Sequence, residues 1–427
     1  MNVYKFGGAS VKDAEGFQNV AKIIESHQDS PLVVVLSAIG KTTNALESLT
    51  KSYFHQLPDV REKFEAIKAQ HYQIIAKLGL EGHELMDEVN DLFVEIEWVI
   101  EEIPHDEFDY LYDQIVSVGE LLSTKILAAV LRECGVAATW LDIRDVLITD
   151  EVHREAKVNW ALSHDKIRHK VEEMHRDFGV IVTQGFIGVT QENHTTTLGR
   201  EGSDYSAAII SYCTDAEGMH IWKDVPGVLT ADPSTFDHVV KLDKLSYREA
   251  IEMTYYGAKV IHPKTIKPLQ NKNIPLFVRP FGDPSSMGTQ ISAEGPRSYP
   301  PIIVVEGQQM LVHVSVKDFS FVAENHLSTI FQHAAHLRWK VNVMKNTAIS
   351  FTICVQADLE KYSKFCNLIG EEFSITMETD LELITIRHYN QETLQEMKRQ
   401  KLVLFEESMG DTVQIVVRDV PLLTRKR

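Results

Sequence analysis

The sequence predicts an α/β protein with a mainly parallel central sheet covered by helices on both faces, followed by small βαββαβ units. Three observations predict it. Short apolar runs such as Leu32 to Leu36 alternate with helix-period segments, and a continuous β-branched and Leu run marks a strand buried on both faces. A stretch in which 12 of 23 residues are Pro, Gly or Ser, Arg279 to Pro301, interrupts that rhythm and reads as a turn-rich boundary. Beyond it, strand and helix signals recur in two shorter sets, an approximate internal repeat.

Each element follows from its own pattern. Val3 to Phe6 reads as a strand, Ala14, Phe17, Ala21 and Ile24 as one face of a helix, and Leu32 to Leu36 as a buried strand. Val60 to Leu80 reads as helical. Leu85, Val89, Leu92, Ile96, Val99 and Ile103 form one apolar stripe within Glu81 to Asp113, which holds 13 Asp/Glu and no Lys or Arg. That combination predicts a packed helix with a carboxylate exterior, the two helices forming an inserted hairpin. Ser117-Val118-Gly119-Glu120 is expected to precede a helix carrying Leu122, Ile126 and Ala129. Val180–Thr183 (strand), Ser206–Tyr212 (helix) and His220–Trp222 (strand) continue the alternation.

After the boundary, Met310–Val316, Leu327–Leu337, Val341–Met344, Ile349–Val355, Leu359–Gly370 and Phe373–Met377 give one βαββαβ unit of ferredoxin-like type. Leu381–Arg387, Thr393–Arg399, Val403–Phe405 and Thr412–Val417 give a second, shorter β-α-β-β set. The expected division is therefore residues 1–292, a linker at 293–301, a unit at 302–378 and a shortened unit at 379–427.

Composition excludes several classes. With 427 residues, 44% of them hydrophobic and 24% charged, the chain is an ordinary globular protein with room for several domains. Its 43 Lys+Arg against 61 Asp+Glu give a net charge of −18, which repels nucleic acid and anionic membrane surfaces. Leu32 to Leu36 is far too short to span a bilayer, and Met1 to Val20 lacks a signal-peptide core. Cys134, Cys213, Cys354 and Cys366 form no C-x-x-C, and the 18 histidines form no H-E-x-x-H. Reduced thiols, a cytoplasmic location and no protein-built metal site are the expectation.

Polar motifs gather at predicted strand ends. Lys5-Phe6-Gly7-Gly8-Ala9-Ser10 offers a cation and two glycine amides, a cradle for an anion or simply a turn. Gly40-Lys41-Thr42 lacks the glycine a P-loop needs, since Val35 stands there. Ser37, Thr42, Thr43 and Asn44 still line a loop after a buried strand, where they face a ligand or cap the next helix. Glu120 suits a substrate ammonium, or else complements a helix dipole. The run from Thr183 to Gly188 with Phe186, then Leu198-Gly199-Arg200-Glu201-Gly202-Ser203-Asp204, brings amides, hydroxyls, a guanidinium and a carboxylate together. Arg200 can fork onto a carboxylate. Lys223-Asp224-Val225-Pro226-Gly227 and Tyr256-Gly257-Ala258-Lys259 are turn segments at further strand ends, Lys259 being a candidate phosphate contact or a plain surface lysine.

Taken in order, these motifs, together with Val33 to Ala38 and Val260-Ile261-His262-Pro263, resemble the aspartate kinases of the amino acid kinase family over residues 1 to about 292, and the tail resembles their paired ACT domains. The resemblance implies a three-layer αβα amino acid kinase fold with C-terminal ACT-type domains. It implies ATP-dependent phosphorylation of the L-aspartate β-carboxylate, first step toward lysine, threonine and methionine, with ATP and Mg²⁺ required. It places Lys5 on the transferring phosphoryl group and Asp204 beside it. Arg200 would take the α-carboxylate and Glu120 the ammonium, with Ser37, Thr43, Phe186 and Ser203 completing the aspartate pocket. Gly7, Gly8, Ser10, Lys223, Asp224 and Lys259 would face the nucleotide. A homodimer through the ACT-like domains is implied, and no homoserine dehydrogenase domain is expected behind them.

The chain departs from the family pattern at several points. Glu201 stands where the family has glycine, Lys223 replaces a threonine, and Leu229 and Ser234 replace a tyrosine and an arginine. In the tail, Asn325-His326-Leu327 replaces Gly-Phe-Leu, Asn342 an aspartate that holds lysine, and Asn346-Thr347 a Thr-Ser pair. A cationic effector loses its charge-assisted contact there, so the tail is read as serving dimerisation at least as much as sensing. Another carboxylate kinase such as acetylglutamate kinase, and a non-catalytic regulator of the same fold, are the alternatives.

Overall fold

A computed structural model of the chain describes residues 1–26, 30–82, 84–258, 261–318 and 320–420. It divides into two compact units: Met1–Val228 with Lys241–Ile251 and Ile261–Pro296, and Leu229–Val240 with Glu252–Val260 and Arg297–Arg427. The second unit thus takes in two segments that lie, in sequence, within 1–292.

The first unit begins β1 (Asn2–Phe6), α1 (Ala14–Glu25), β2 (Leu32–Leu36) and α2 (Thr42–Phe54). It continues α3 (Val60–Lys77), α4 (Leu85–Glu101), α5 (Phe108–Glu133), β3 (Ala138–Leu141), α6 (Trp160–Met174) and β4 (Val180–Gln184). A hairpin of β5 (Ile187–Val189) and β6 (Thr195–Thr197) leads to α7 (Gly202–Cys213) and β7 (Gly218–Lys223). Then come β8 (Lys244–Ser246), α8 (Tyr247–Tyr255, of which Glu252 onward is counted in the second unit), α9 (Pro263–Lys272), β9 (Leu276–Pro280) and β10 (Thr289–Ser292). The eight-stranded sheet runs β3-β4-β2-β1-β7-β9-β10-β8, parallel except at the β9–β10 pair. The expectation of a mainly parallel sheet holds.

Register decides where chemistry can occur. Phe6 lies opposite both Leu36 and Trp222, and Leu36 opposite Gln184. The loops Gly7-Gly8, Ser37-Ala38 and Gly185-Phe186 and the end of β7 therefore emerge side by side at the carboxyl edge of four adjacent parallel strands, where open α/β sheets bind ligands.

The structure corrects three expectations. Glu120 lies in the middle of a single 26-residue helix, α5, not ahead of one. Gly119 permits this: a Cβ there would sit 3.0 to 3.2 Å from Leu46, Ala38 and Thr42, so α5 packs closely on the first turn of α2. The helix is long and apolar enough to cross a membrane by composition, but 89% of its apolar window is buried within the protein; it is the core helix of the unit. Second, neither Thr42 nor Thr43 caps α2, which starts after Lys41 with no side-chain cap. Third, the Pro/Gly/Ser stretch contains strand β10, which pairs with β9 and β8. The helices α3 and α4 pack through Phe93, whose ring meets those of Phe64, His71 and Tyr72 at 5.6 to 6.1 Å.

The second unit holds β11 (Ile302–Val316), α10 (Glu324–His336), β12 (Val341–Asn346), β13 (Ser350–Gln356), α11 (Leu359–Ile369), β14 (Phe373–Arg387), α12 (Gln391–Lys398), β15 (Lys401–Met409) and β16 (Thr412–Asp419). Its sheet runs β12-β13-β11-β14-β16-β15 and is antiparallel. Two fifteen-residue strands, β11 and β14, pass through both halves. The front of β11, Ile302 to Glu306, pairs with Leu383 to Arg387. The β-α-β-β set at the end of the chain thereby gains a fourth strand from 302–306, residues the sequence assigned to the preceding unit. The sheet coils strongly. Val343 on one edge strand and Phe405 on the other share one buried cluster, and the Lys345 ammonium lies over the Phe405 ring.

Candidate active site

Lys5 stands one residue before the end of β1 and is 9% exposed. Its Nζ lies 2.6 Å from Oδ1 of Asp204, itself 5% exposed in the first turn of α7. Burial pushes the Asp204 carboxyl up, but the Lys5 and Lys223 charges outweigh it and hold the group below its usual range. The pair is thus a fixed cation and anion at the mouth of the parallel sheet.

The glycines let backbone reach this pair. A Cβ on Gly8 would lie 2.6 Å from the Ala38 carbonyl and 2.8 Å from that of Gly40, and the Gly40 amide donates to the Gly8 carbonyl at 3.0 Å. Only glycine permits the two loops to touch. A Cβ on Gly7 would lie 3.6 Å from Lys5 Nζ, so its backbone flanks the ammonium. Lys5, Gly7, Ser10, Lys223 and Asp224 line one cavity of about 130 Å³ with Trp222 and Phe281. Phe281 was not foreseen, because it sits in the Pro/Gly/Ser stretch. Its amide donates to the Lys223 carbonyl at 2.6 Å and its carbonyl accepts from Asn19.

The substrate side is built on α5, α7 and the loop after β4. Glu120 is 2% exposed, and burial drives its carboxyl up to about 8 against the pull of Lys5 and a backbone hydrogen bond from Ala38. Its Oε2 has no hydrogen-bond partner among the described residues. A buried carboxylate oxygen without a donor is costly unless a ligand supplies one. Phe186 adopts φ +71°, with its amide held by Ser206 Oγ at 3.0 Å. A Cβ on Gly185 would meet Ser203 at 2.5 Å and one on Gly202 would meet Phe186 at 2.7 Å, so the loop and the start of α7 interlock. Ser37 and Thr43 are half-buried on the neighbouring loop and α2. Thr42 is buried, its hydroxyl has no hydrogen-bond partner among the described residues, and its methyl would lie 3.2 Å from a Cβ on Gly119 of α5.

For two expected site residues the structure gives no contact with these groups. Arg200 is exposed and makes no ion pair among the described residues. Its loop, between β6 and α7, passes close to a neighbouring segment at Gly199, where a Cβ would lie 3.1 Å from the Arg154 carbonyl. Lys259 lies outside the described residues. Conversely, no sequence pattern marks the buried Asp113. It accepts from Thr197 Oγ1 at 2.7 Å and from the Arg154 amide, and pairs with His153. Among the described residues no group of three metal-ligating side chains occurs.

Parallel strands ending in a glycine cradle, with a lysine–aspartate pair beside it, define a fold that handles anionic phosphoryl groups. The family model of the amino acid kinase family matches residues 1–280, and the chain belongs to that family. Within it, the similarity is to aspartokinases. The chain is 32% identical over 389 residues to lysine-sensitive aspartokinase 3 of Escherichia coli, covering 87% of this chain and 84% of that protein. It is 30% identical over 395 residues to chloroplastic aspartokinase 3 of Arabidopsis thaliana, covering 90% and 69%. It spans 32% of the length of a bifunctional aspartokinase/homoserine dehydrogenase from the same plant. The solved structure of E. coli aspartokinase III in complex with aspartate and ADP superposes with a TM-score of 0.82 at 26% identity, covering 98% of this chain and 96% of that one. The family and fold expected from the sequence are both borne out.

Proposed function

We propose that this chain transfers a phosphoryl group from ATP to the β-carboxylate of L-aspartate. The observation that carries the reading is the buried Lys5–Asp204 pair beside the Gly7-Gly8 cradle, together with the buried Glu120 carboxylate, whose Oε2 has no hydrogen-bond partner among the described residues. The nucleophile is already an anion, so no general base is needed. The barrier is the approach of two anions, and catalysis consists of positioning and charge neutralisation.

Lys5 neutralises the transferring group, while Asp204 keeps the ammonium oriented. The Gly7 and Gly8 amides and Lys223 hold the phosphates, and Ser10 and Asp224 complete the nucleotide cavity. Lys259, outside the described residues, is a further nucleotide contact by its sequence motif alone. Glu120 receives the substrate ammonium, Arg200 closes over the α-carboxylate from its exposed loop, and Ser37, Thr43, Phe186 and Ser203 shape the pocket. Mg²⁺ accompanies ATP and spreads the phosphate charge. Among the described residues no group of three metal-ligating side chains occurs, which suits an ion that keeps most of its ligands as water and phosphate oxygen.

We assign the chain to the cytoplasm, to the biosynthetic route from aspartate to lysine and threonine, and to a homodimer joined through its ACT-type units. In those units Asn342 gives its amide to Gln309 Oε1 at 3.0 Å and offers no carboxylate. His326, where the family has phenylalanine, accepts the Ala323 amide and reaches Glu372 at the helix start. Both features support weak lysine sensing. ADP release measured with aspartate, glutamate and N-acetylglutamate tests the function: turnover with aspartate alone is expected, and preference for N-acetylglutamate overturns it. Strong inhibition by lysine below millimolar levels overturns the weak-sensor reading.

A further inference from the structure

We propose that Glu201 is a positioning residue that clamps the start of α7, and with it Asp204, against the start of α9. The inference rests on the kinase reading above. Glu201 occupies φ +56°, ψ 27° at the N-terminal boundary of α7, a left-handed conformation that costs a residue with a Cβ and that glycine accepts freely. It makes no capping bond to its own helix. Its Oε2 instead accepts the backbone amide of His262 at 3.0 Å, 61 residues away. His262 in turn caps α9, its Nδ1 accepting the Lys264 amide at 3.1 Å.

At the far ends of the same two helices, the Lys272 ammonium donates to the Tyr212 carbonyl at 2.7 Å and pairs with Asp215. The helices α7 and α9 therefore run side by side in the same direction, tied at both ends. Three residues after Glu201 comes Asp204, whose carboxylate orients Lys5. A strained residue retained where glycine would be relaxed, with its side chain committed to a cross-link, indicates a use for the side chain. That use is to fix the turn from which Asp204 projects.

The test compares Glu201→Gly, Glu201→Gln and the wild type by kcat, melting temperature and amide hydrogen exchange across residues 261–266. Glu201→Gly is expected to lower kcat about fivefold, a factor equivalent to about 1 kcal/mol, without lowering the melting temperature, because glycine relieves the backbone. Glu201→Gln keeps the acceptor and is expected to stay within twofold of wild type. The proposal is overturned if Glu201→Gly keeps wild-type kcat, if its melting temperature falls along with kcat, or if Glu201→Gln is as slow as Glu201→Gly. Should the wild type show no aspartate-dependent turnover, the kinase reading fails instead. The clamp is then judged by exchange alone: faster exchange at His262 in Glu201→Gly only supports it, and equal exchange in all three proteins overturns it.

Discussion

Glu120 makes aspartate binding a proton-coupled event. In the empty pocket its carboxyl sits at about 8, raised by burial from 4.5. That difference corresponds to about 5 kcal/mol against the ionised form, at about 1.4 kcal/mol per pH unit. At pH 7 roughly one Glu120 in ten is ionised, by the same relation. An arriving ammonium supplies the missing partner and requires the charge, so binding at pH 7 should release about 0.9 proton. Apparent affinity should rise about fivefold from pH 7 to pH 8, as the ionised fraction grows from about a tenth to about a half. Calorimetric titration with aspartate in phosphate and in Tris reads the proton directly, because the two buffers differ in ionisation enthalpy. Equal binding enthalpies in both buffers would refute the reasoning. A linked effect concerns stability. A carboxyl raised in the folded state carries no penalty below about pH 4.5 and the full penalty above about pH 8. Glu120→Gln should therefore gain stability over wild type progressively through that window, measured by chemical denaturation, while losing aspartate affinity.

Other outcomes follow from the same coordinates. Lys5→Ala should reduce kcat by about two to three orders of magnitude with a smaller effect on aspartate binding, and should lower stability by about 3–5 kcal/mol because Asp204 is left buried and unpaired; steady-state kinetics and denaturation check both. Gly8→Ala drives a Cβ to 2.6 Å from the Ala38 carbonyl and should abolish nucleotide binding, as read by titration with an ATP analogue. His71 is buried and neutral, its pKa lowered by burial from 6.5 to about 4. Its stabilising contribution is present above pH 6.5 and fades as pH falls through 4, so His71→Leu should flatten acid unfolding over that range. Phe93→Ala should cost about 3–5 kcal/mol, read by chemical denaturation.

Much of the cleft was legible because its signals are local. A buried strand followed by a glycine pair is readable from adjacent residues at Lys5, Gly7 and Gly8, and Asp204 stands out in the polar run from Leu198 to Asp204; the structure brings Lys5 and Asp204 into contact. Glu120 was found, but its helix was read as starting too late. The polar Ser117 and Ser123 and the small Gly119 hide a continuous core helix whose burial comes from tertiary packing on α2. Phe281 and β10 were hidden by turn-rich composition, since two strand pairings override what Pro, Gly and Ser suggest. Asp113 stood in an acidic run that reads as solvated exterior, and only the fold turns it inward onto Thr197 and His153. The long strands β11 and β14 were divided because bulges near Glu306 and Gln309 shift the register, so the alternation on which a strand is recognised breaks in mid-strand. Arg200 is exposed, and residue type alone does not say how a side chain in a loop is covered.

The most direct measurement traps the product with hydroxylamine during incubation with ATP, Mg²⁺ and aspartate, for the wild type and Lys5→Ala side by side. The account predicts aspartyl hydroxamate from the wild type and almost none from the variant. Hydroxamate from both at equal rates, or from neither while glutamate is converted, would contradict it.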